Sequence, residues 1–190
     1  MTNLFLTLST IAAFCSPLIG IYAILRGNFR PQRMTRFLIW IISVLFVGTL
    51  YAQGDRNGIY IAGAQLLGST AIFFLSLKRG LGGTSRFDFF VFGLAILSLI
   101  IWQTTANPTL GLLMSIFTDL IAFTPTLVKT WKLPHTEDWR FYLSDVVASF
   151  FGLLAITNFD LKTLAFPTYI LFINTTSVVM ILLRHHHLKS

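Results

Sequence analysis

The chain reads as an all-α membrane protein: seven transmembrane helices, arranged as two parallel three-helix bundles joined by one linker helix. Three observations predict this. Apolar residues make up 55% of the 190 positions and charged ones only 11%, against about 25% charged in a soluble domain. Apolar runs of spanning length recur along the whole chain. The 14 basic residues are segregated: Arg26, Arg30, Arg33, Arg36, Lys78, Arg79, Arg86, Lys129, Lys132, Arg140, Arg184 and Lys189 fall on one side, and only Arg56 and Lys162 on the other. Loops rich in Lys and Arg stay in the cytoplasm. The N-terminus is therefore expected outside and the C-terminus inside, in a multi-pass protein of the cell (inner) membrane. The formal charge of +7 is read as this topology signal, and no nucleic-acid partner is expected.

The first span covers residues 3–25. It lacks a basic leader and a small-residue cleavage site, so it is read as a retained helix, not a signal peptide. A basic loop leads to the second span, 35–53, and a polar turn to the third, 58–77. The glycine-rich connection 78–86 precedes the fourth span, 88–105, which Asp88 opens with a carboxylate suited to a helix N-terminus. Pro108 is placed to start a helix, and the fifth span follows at 109–128. A polar loop leads to the sixth, 139–156, and the seventh runs over 167–184, with a short histidine-bearing tail expected in solvent. Residues 1–77 form the first bundle, 78–107 the linker with the fourth span, and 108–190 the second bundle and a cytoplasmic tail.

An internal repeat rests on matched positions. Pro17 in the first span pairs with Pro125 in the fifth, and Arg36 with Arg140. Tyr60, Ile61, Gln65 and Ile72 pair at one offset with Tyr169, Ile170, Asn174 and Ile181. An odd linker helix makes the second triplet insert in the same orientation as the first, a known transporter plan.

With a proline in the first helix of each triplet and about 190 residues in all, this 3+1+3 pattern resembles the SWEET and PQ-loop transporter superfamily. The bacterial nicotinamide riboside uptake proteins share that fold. The resemblance covers nearly the whole chain, through short motifs. Where that family carries Pro-Gln within the first helix of each repeat, this chain reads Pro17-Leu18 and Pro125-Thr126; its one Pro-Gln, Pro31-Gln32, lies in a loop. The second and sixth spans also lack the prolines of SWEET proteins. The resemblance implies a substrate-facing amide on the third helix of each repeat. Asn174 matches it, and Gln65 is a longer amide at the equivalent place.

The candidate substrate-binding residues are Asp119, Asn174, Gln65, Trp40, Tyr51 and Tyr22, with Pro17 and Pro125 as hinges. Amides in hydrocarbon need partners, so Gln65 and Asn174 should face the bundle interior, toward substrate or toward another helix. Asp119 lies near the bilayer centre, where a charge costs about 2.5–3.5 kcal/mol on insertion scales. Its helix neighbours offer no charge, and no mid-span Lys or Arg is evident. Either it is protonated and donates a hydrogen bond to Gln65, Asn174 or a tyrosine, or it lines a wet cavity and ionises, binding a cationic solute or relaying a proton. Ile11 stands opposite it in the repeat, so the acid is not part of the shared scaffold. Asp145 and Asp88 are read as structural. Trp102, Trp131 and Trp139 are read as interface anchors, and Cys15 as a small side chain inside an apolar run.

No Ser/His/Asp set, zinc motif or paired carboxylate is visible, so no enzyme, metal or cofactor is expected. The expected function is that of a facilitator or proton-coupled carrier of a small polar solute, working by alternating access. The partners are the lipid bilayer and that solute, with a homo-oligomer left open. The competing expectation is a non-transporting sensor or assembly subunit. The two separate on one feature: a carrier needs a polar cavity shared by both triplets, and a structural subunit would pack that axis shut with phenylalanine.

Overall fold

The computed structural model describes residues 2–187, with side chains over 3–184. Seven α-helices follow one another: α1 (Thr2–Arg26), α2 (Arg33–Gln53), α3 (Arg56–Arg79), α4 (Arg86–Thr105), α5 (Pro108–Lys132), α6 (Trp139–Leu154) and α7 (Leu161–His187). A single 3-10 turn, Pro134–Thr136, precedes α6. No strand is formed among the described residues beyond an isolated bridge between Gln32 and Leu81. Residues 188–190 of the expected tail, and the side chains of its histidines, lie outside the described residues.

All but α6 are long and apolar enough to cross a membrane. The outer surface agrees: Leu18, Leu67, Phe89, Phe172 and Leu183 are each more than half exposed. Ser16, Ser115, Thr118 and Asp145 are buried. Polar groups inside and apolar groups outside is the arrangement a hydrocarbon solvent selects. The chain is a multi-pass membrane protein.

Local chemistry sets the helix ends. Asp55 caps α3 by accepting from Asn57 N and Gly58 N. Ser85 and Asp88 form a reciprocal capping box on α4. Asn107 caps α5, with Pro108 at its first turn. The seventh helix departs from expectation. It starts six residues before Pro167, because the Asp160 side chain accepts from Thr163 N and supplies the start instead. Pro167 is left inside the helix.

α3 lies between α1 and α2, and α7 between α5 and α6. α1 also packs on α6, and α2 on α5. Alanines 13, 64 and 148 form one small buried cluster where α1, α3 and α6 cross, and small residues of this kind let membrane helices approach closely. The Trp102 ring of α4 occupies the grooves left by Gly48 of α2 and Gly111 of α5. Trp102 is thus a packing residue, not merely an interface anchor.

Candidate functional site

Six helices, all except α4, contribute side chains to one cavity of about 80 Å³. A water needs about 10–15 Å³ measured this way, so several would fit. Apolar walls come from Ile39, Phe46, Ile72, Phe123, Ile170 and Ile173. Ser16, Ser43, Ser69, Gln65 and Asn174 supply neutral polar groups, and Arg36, Asp119 and Asp145 the charges.

Asp119 sits mid-way along α5 and is 7% exposed. The Tyr169 hydroxyl donates to its Oδ2 at 2.6 Å. The partner is therefore a tyrosine from α7, and it donates to the acid, the reverse of the expected bond from a protonated Asp119. Its Oδ1 is buried with no partner. Asp145, mid-way along α6, repeats the pattern: 5% exposed, with an unpartnered Oδ1. Arg36 is one turn into α2, yet only 4% exposed. Its guanidinium lies over the rings of Phe29 at 5.3 Å and Phe141 at 5.5 Å. Stacking between aromatic faces holds a cation where water is scarce.

Sequence reasoning missed two of the three charges. The sequence groups Arg36 with the charges at the cytoplasmic ends of the spans and marks Asp145 only as structural. Two carboxyls that no motif revealed, those of Asp119 and Asp145, 26 residues apart in sequence, line this one cavity. Arg140, matched to Arg36 in the repeat, is exposed and stacks on Trp139 instead.

Gln65 and Asn174 line the same cavity, the first half-buried and the second 6% exposed. Asn174 Nδ2 donates to Ile170 O of its own helix at 2.9 Å. Pro17 also lines the cavity, seated against Gly68, where any Cβ would collide with the proline ring. Pro125 is half-buried and is not among the cavity residues. The three aromatic candidates lie elsewhere. Tyr22 and Tyr51 are 58% and 76% exposed on the outer surface. Trp40 stacks on Phe73 and donates to Thr70 Oγ1 at 3.0 Å, between α2 and α3. Ile11, set opposite Asp119 by the proline offset, is 57% exposed. The two positions are not equivalent in space.

The basic end of the cavity is covered by the loop between α1 and α2. Phe29 is fully buried there, its ring 5.5 Å from that of Phe141. Arg30 N donates to Thr136 O at 3.0 Å, and Lys129 Nζ donates to Arg30 O. Lys129 pairs with Glu137 at 2.5 Å, and the Tyr142 hydroxyl donates to Glu137 Oε2 at 2.7 Å. At the far end, Phe46 packs on Phe166 at 5.0 Å and on Tyr169 at 6.4 Å.

No family model matches the chain, and no curated protein or solved structure matches it either.

Proposed function

We propose that this protein is a membrane carrier of a small polar solute, in which two SWEET-like triplets, α1–α3 and α5–α7, rock around the central cavity by alternating access. The observation that carries the reading is the cavity itself: three buried charges where six helices from both triplets meet. Charges within membrane segments are expensive and normally mark a solute or proton pathway. A purely architectural core would have no need of them.

The repeat is supported by the packing order. Exchanging α1 with α5, α2 with α6 and α3 with α7 maps the α1–α6 contact onto the α2–α5 contact, and preserves the central place of each third helix. Ile72 and Ile181 are both fully buried at their matched positions, and Gln65 and Asn174 both reach the cavity. Substrate-binding roles fall to Asp119, Asn174 and Gln65, joined by Arg36 and Asp145, and Pro17 is the hinge nearest the solute. The basic end faces the cytoplasm.

Two experiments test the reading. In the first, purified protein is melted with sugars, nucleosides, amino acids and vitamins. A ligand raises the melting temperature with concentration, and vesicles carrying the protein then take up that ligand faster than empty ones. Stabilisation without uptake would favour a sensor. In the second, a cysteine at Asn28, with Cys15 replaced by serine, stays unlabelled by an impermeant reagent in sealed cells. Labelling there would invert the orientation.

A further inference from the structure

We infer that the solute is a small monocation, a protonated amine that binds in this cavity and supplies the donor that the carboxyls of Asp119 and Asp145 lack. This rests on the carrier reading and adds the chemistry of the solute. Three charged side chains line the cavity, Arg36 from α2, Asp119 from α5 and Asp145 from α6. With both carboxyls ionised, one positive and two negative groups leave an excess of one negative charge. The neighbouring ionisable groups do not change that balance. Lys129 and Glu137 pair with each other, and the hydroxyls of Tyr142 and Tyr169 are engaged with Glu137 and Asp119 as neutral donors.

The hydrogen bonding points the same way. Asp119 and Asp145 are each more than nine-tenths buried, and each keeps an Oδ1 with no partner. A buried carboxylate oxygen without a donor is costly. What the cavity lacks is a donor carrying a single positive charge, and an alkylammonium group supplies three N–H bonds and that charge. Arg36 does not supply it: its guanidinium lies over the rings of Phe29 and Phe141 and donates to neither free oxygen. The walls suit the remainder of such a molecule, since Ile39, Phe46, Ile170 and Ile173 present alkyl and ring surface to a short carbon chain. An anion would meet two carboxylates, and a neutral polyol would leave the excess charge in place.

The test uses three probes of one size and different charge: n-propylammonium, n-propanol and propionate. Each is titrated into the purified full chain at neutral pH, with melting temperature and calorimetry as readouts. The expected result is a saturable response to n-propylammonium alone. Asp119→Asn and Asp145→Asn each keep the side-chain shape and should weaken that response by about thirtyfold or more. A response to propionate or propanol equal to that of the amine overturns the inference. So does an amine response unchanged in both variants, or no amine response at all. The comparison of probes on the unaltered chain holds even if a variant fails to fold. Vesicle uptake separates the two readings. Saturable amine binding without uptake breaks the carrier reading alone, and uptake of a neutral solute undiminished in Asp119→Asn breaks this one alone.

Discussion

At its basic end the cavity is covered by a loop, and at its far end by helices. The loop holds Phe29 in place through a few polar contacts: Arg30 to Thr136, Lys129 to Arg30, and the Lys129–Glu137–Tyr142 set. The far end is closed by Phe46 of α2 against Phe166 and Tyr169 of α7, and by Ile61 of α3 seated over Gly152 of α6. Its turns are tied by Gln53 to Pro108 O and Asn57 to Ala155 O. Apolar closure is spread over many weak contacts and is indifferent to charge. Polar closure hangs on a few groups, and loss of one strands the others. Opening the two ends should therefore take different kinds of change.

The largest effect is expected from Phe29→Ala. Removing a fully buried ring should cost about 3–5 kcal/mol in reversible unfolding. It should also let an impermeant thiol reagent reach a cysteine placed at Ser43, in a chain with Cys15 replaced by serine. Phe166→Ala should cost about as much but admit the reagent only from the opposite face. Labelling from the same face in both variants would erase the distinction between the ends.

Glu137→Gln comes next. It keeps the shape of the side chain and leaves Lys129 buried without its counter-charge, at a cost near the low end of the range, about 3 kcal/mol. Labelling at Ser43 should rise as for Phe29→Ala. A variant that melts like the parent would mean that the loop is held by its packing and not by the ion pair.

The smallest effect concerns Asp55, at the far end. Burial holds its carboxyl above the ordinary value of 3.8, against the opposing backbone N–H bonds from Gly58 and Asn57, with the charge of Asp160 adding to the rise. A raised acid keeps its proton in the folded state after the unfolded chain has released it. This component of stability is therefore complete at low pH and declines as pH climbs from about 3.8 through the raised value. Asp55→Asn keeps the cap without the charge and should flatten that decline, melting no lower than the parent at neutral pH. Asp55→Ala should lose about 1 kcal/mol with the cap. A decline that persists in Asp55→Asn would assign it to another group.

The spans were legible because each is a long apolar run bounded by Gly, Pro or basic residues. The start of α7 was not, because Pro167 resembles a helix opening and the true cap, Asp160, lies in a polar turn. Asp119 stood out as a charge in apolar sequence. Arg36 did not, because a position near a helix end suggests exposure, while a long side chain can carry its charge a full turn inward. Tyr22 and Tyr51 were misplaced because these helices are apolar on nearly every side, so the pattern does not mark which face turns inward. Asp145 reads as structural because nothing local ties it to Asp119; only the cavity that both line does.

The sixth helix has 16 residues, about 24 Å at 1.5 Å per residue. A hydrocarbon layer is about 30 Å thick. In the proposed topology α6 crosses the layer too, and lipids beside it thin, at a cost of fractions of a kcal/mol for each ångström of mismatch. Asp145 lies near the middle of this short helix, so water on either side has less oil to cross to reach it. Acyl-chain length thus becomes a control on the protein. Reconstituted in short-chain lipid the molecule should sit relaxed, and in long-chain lipid it should be strained at the one helix that carries a cavity acid.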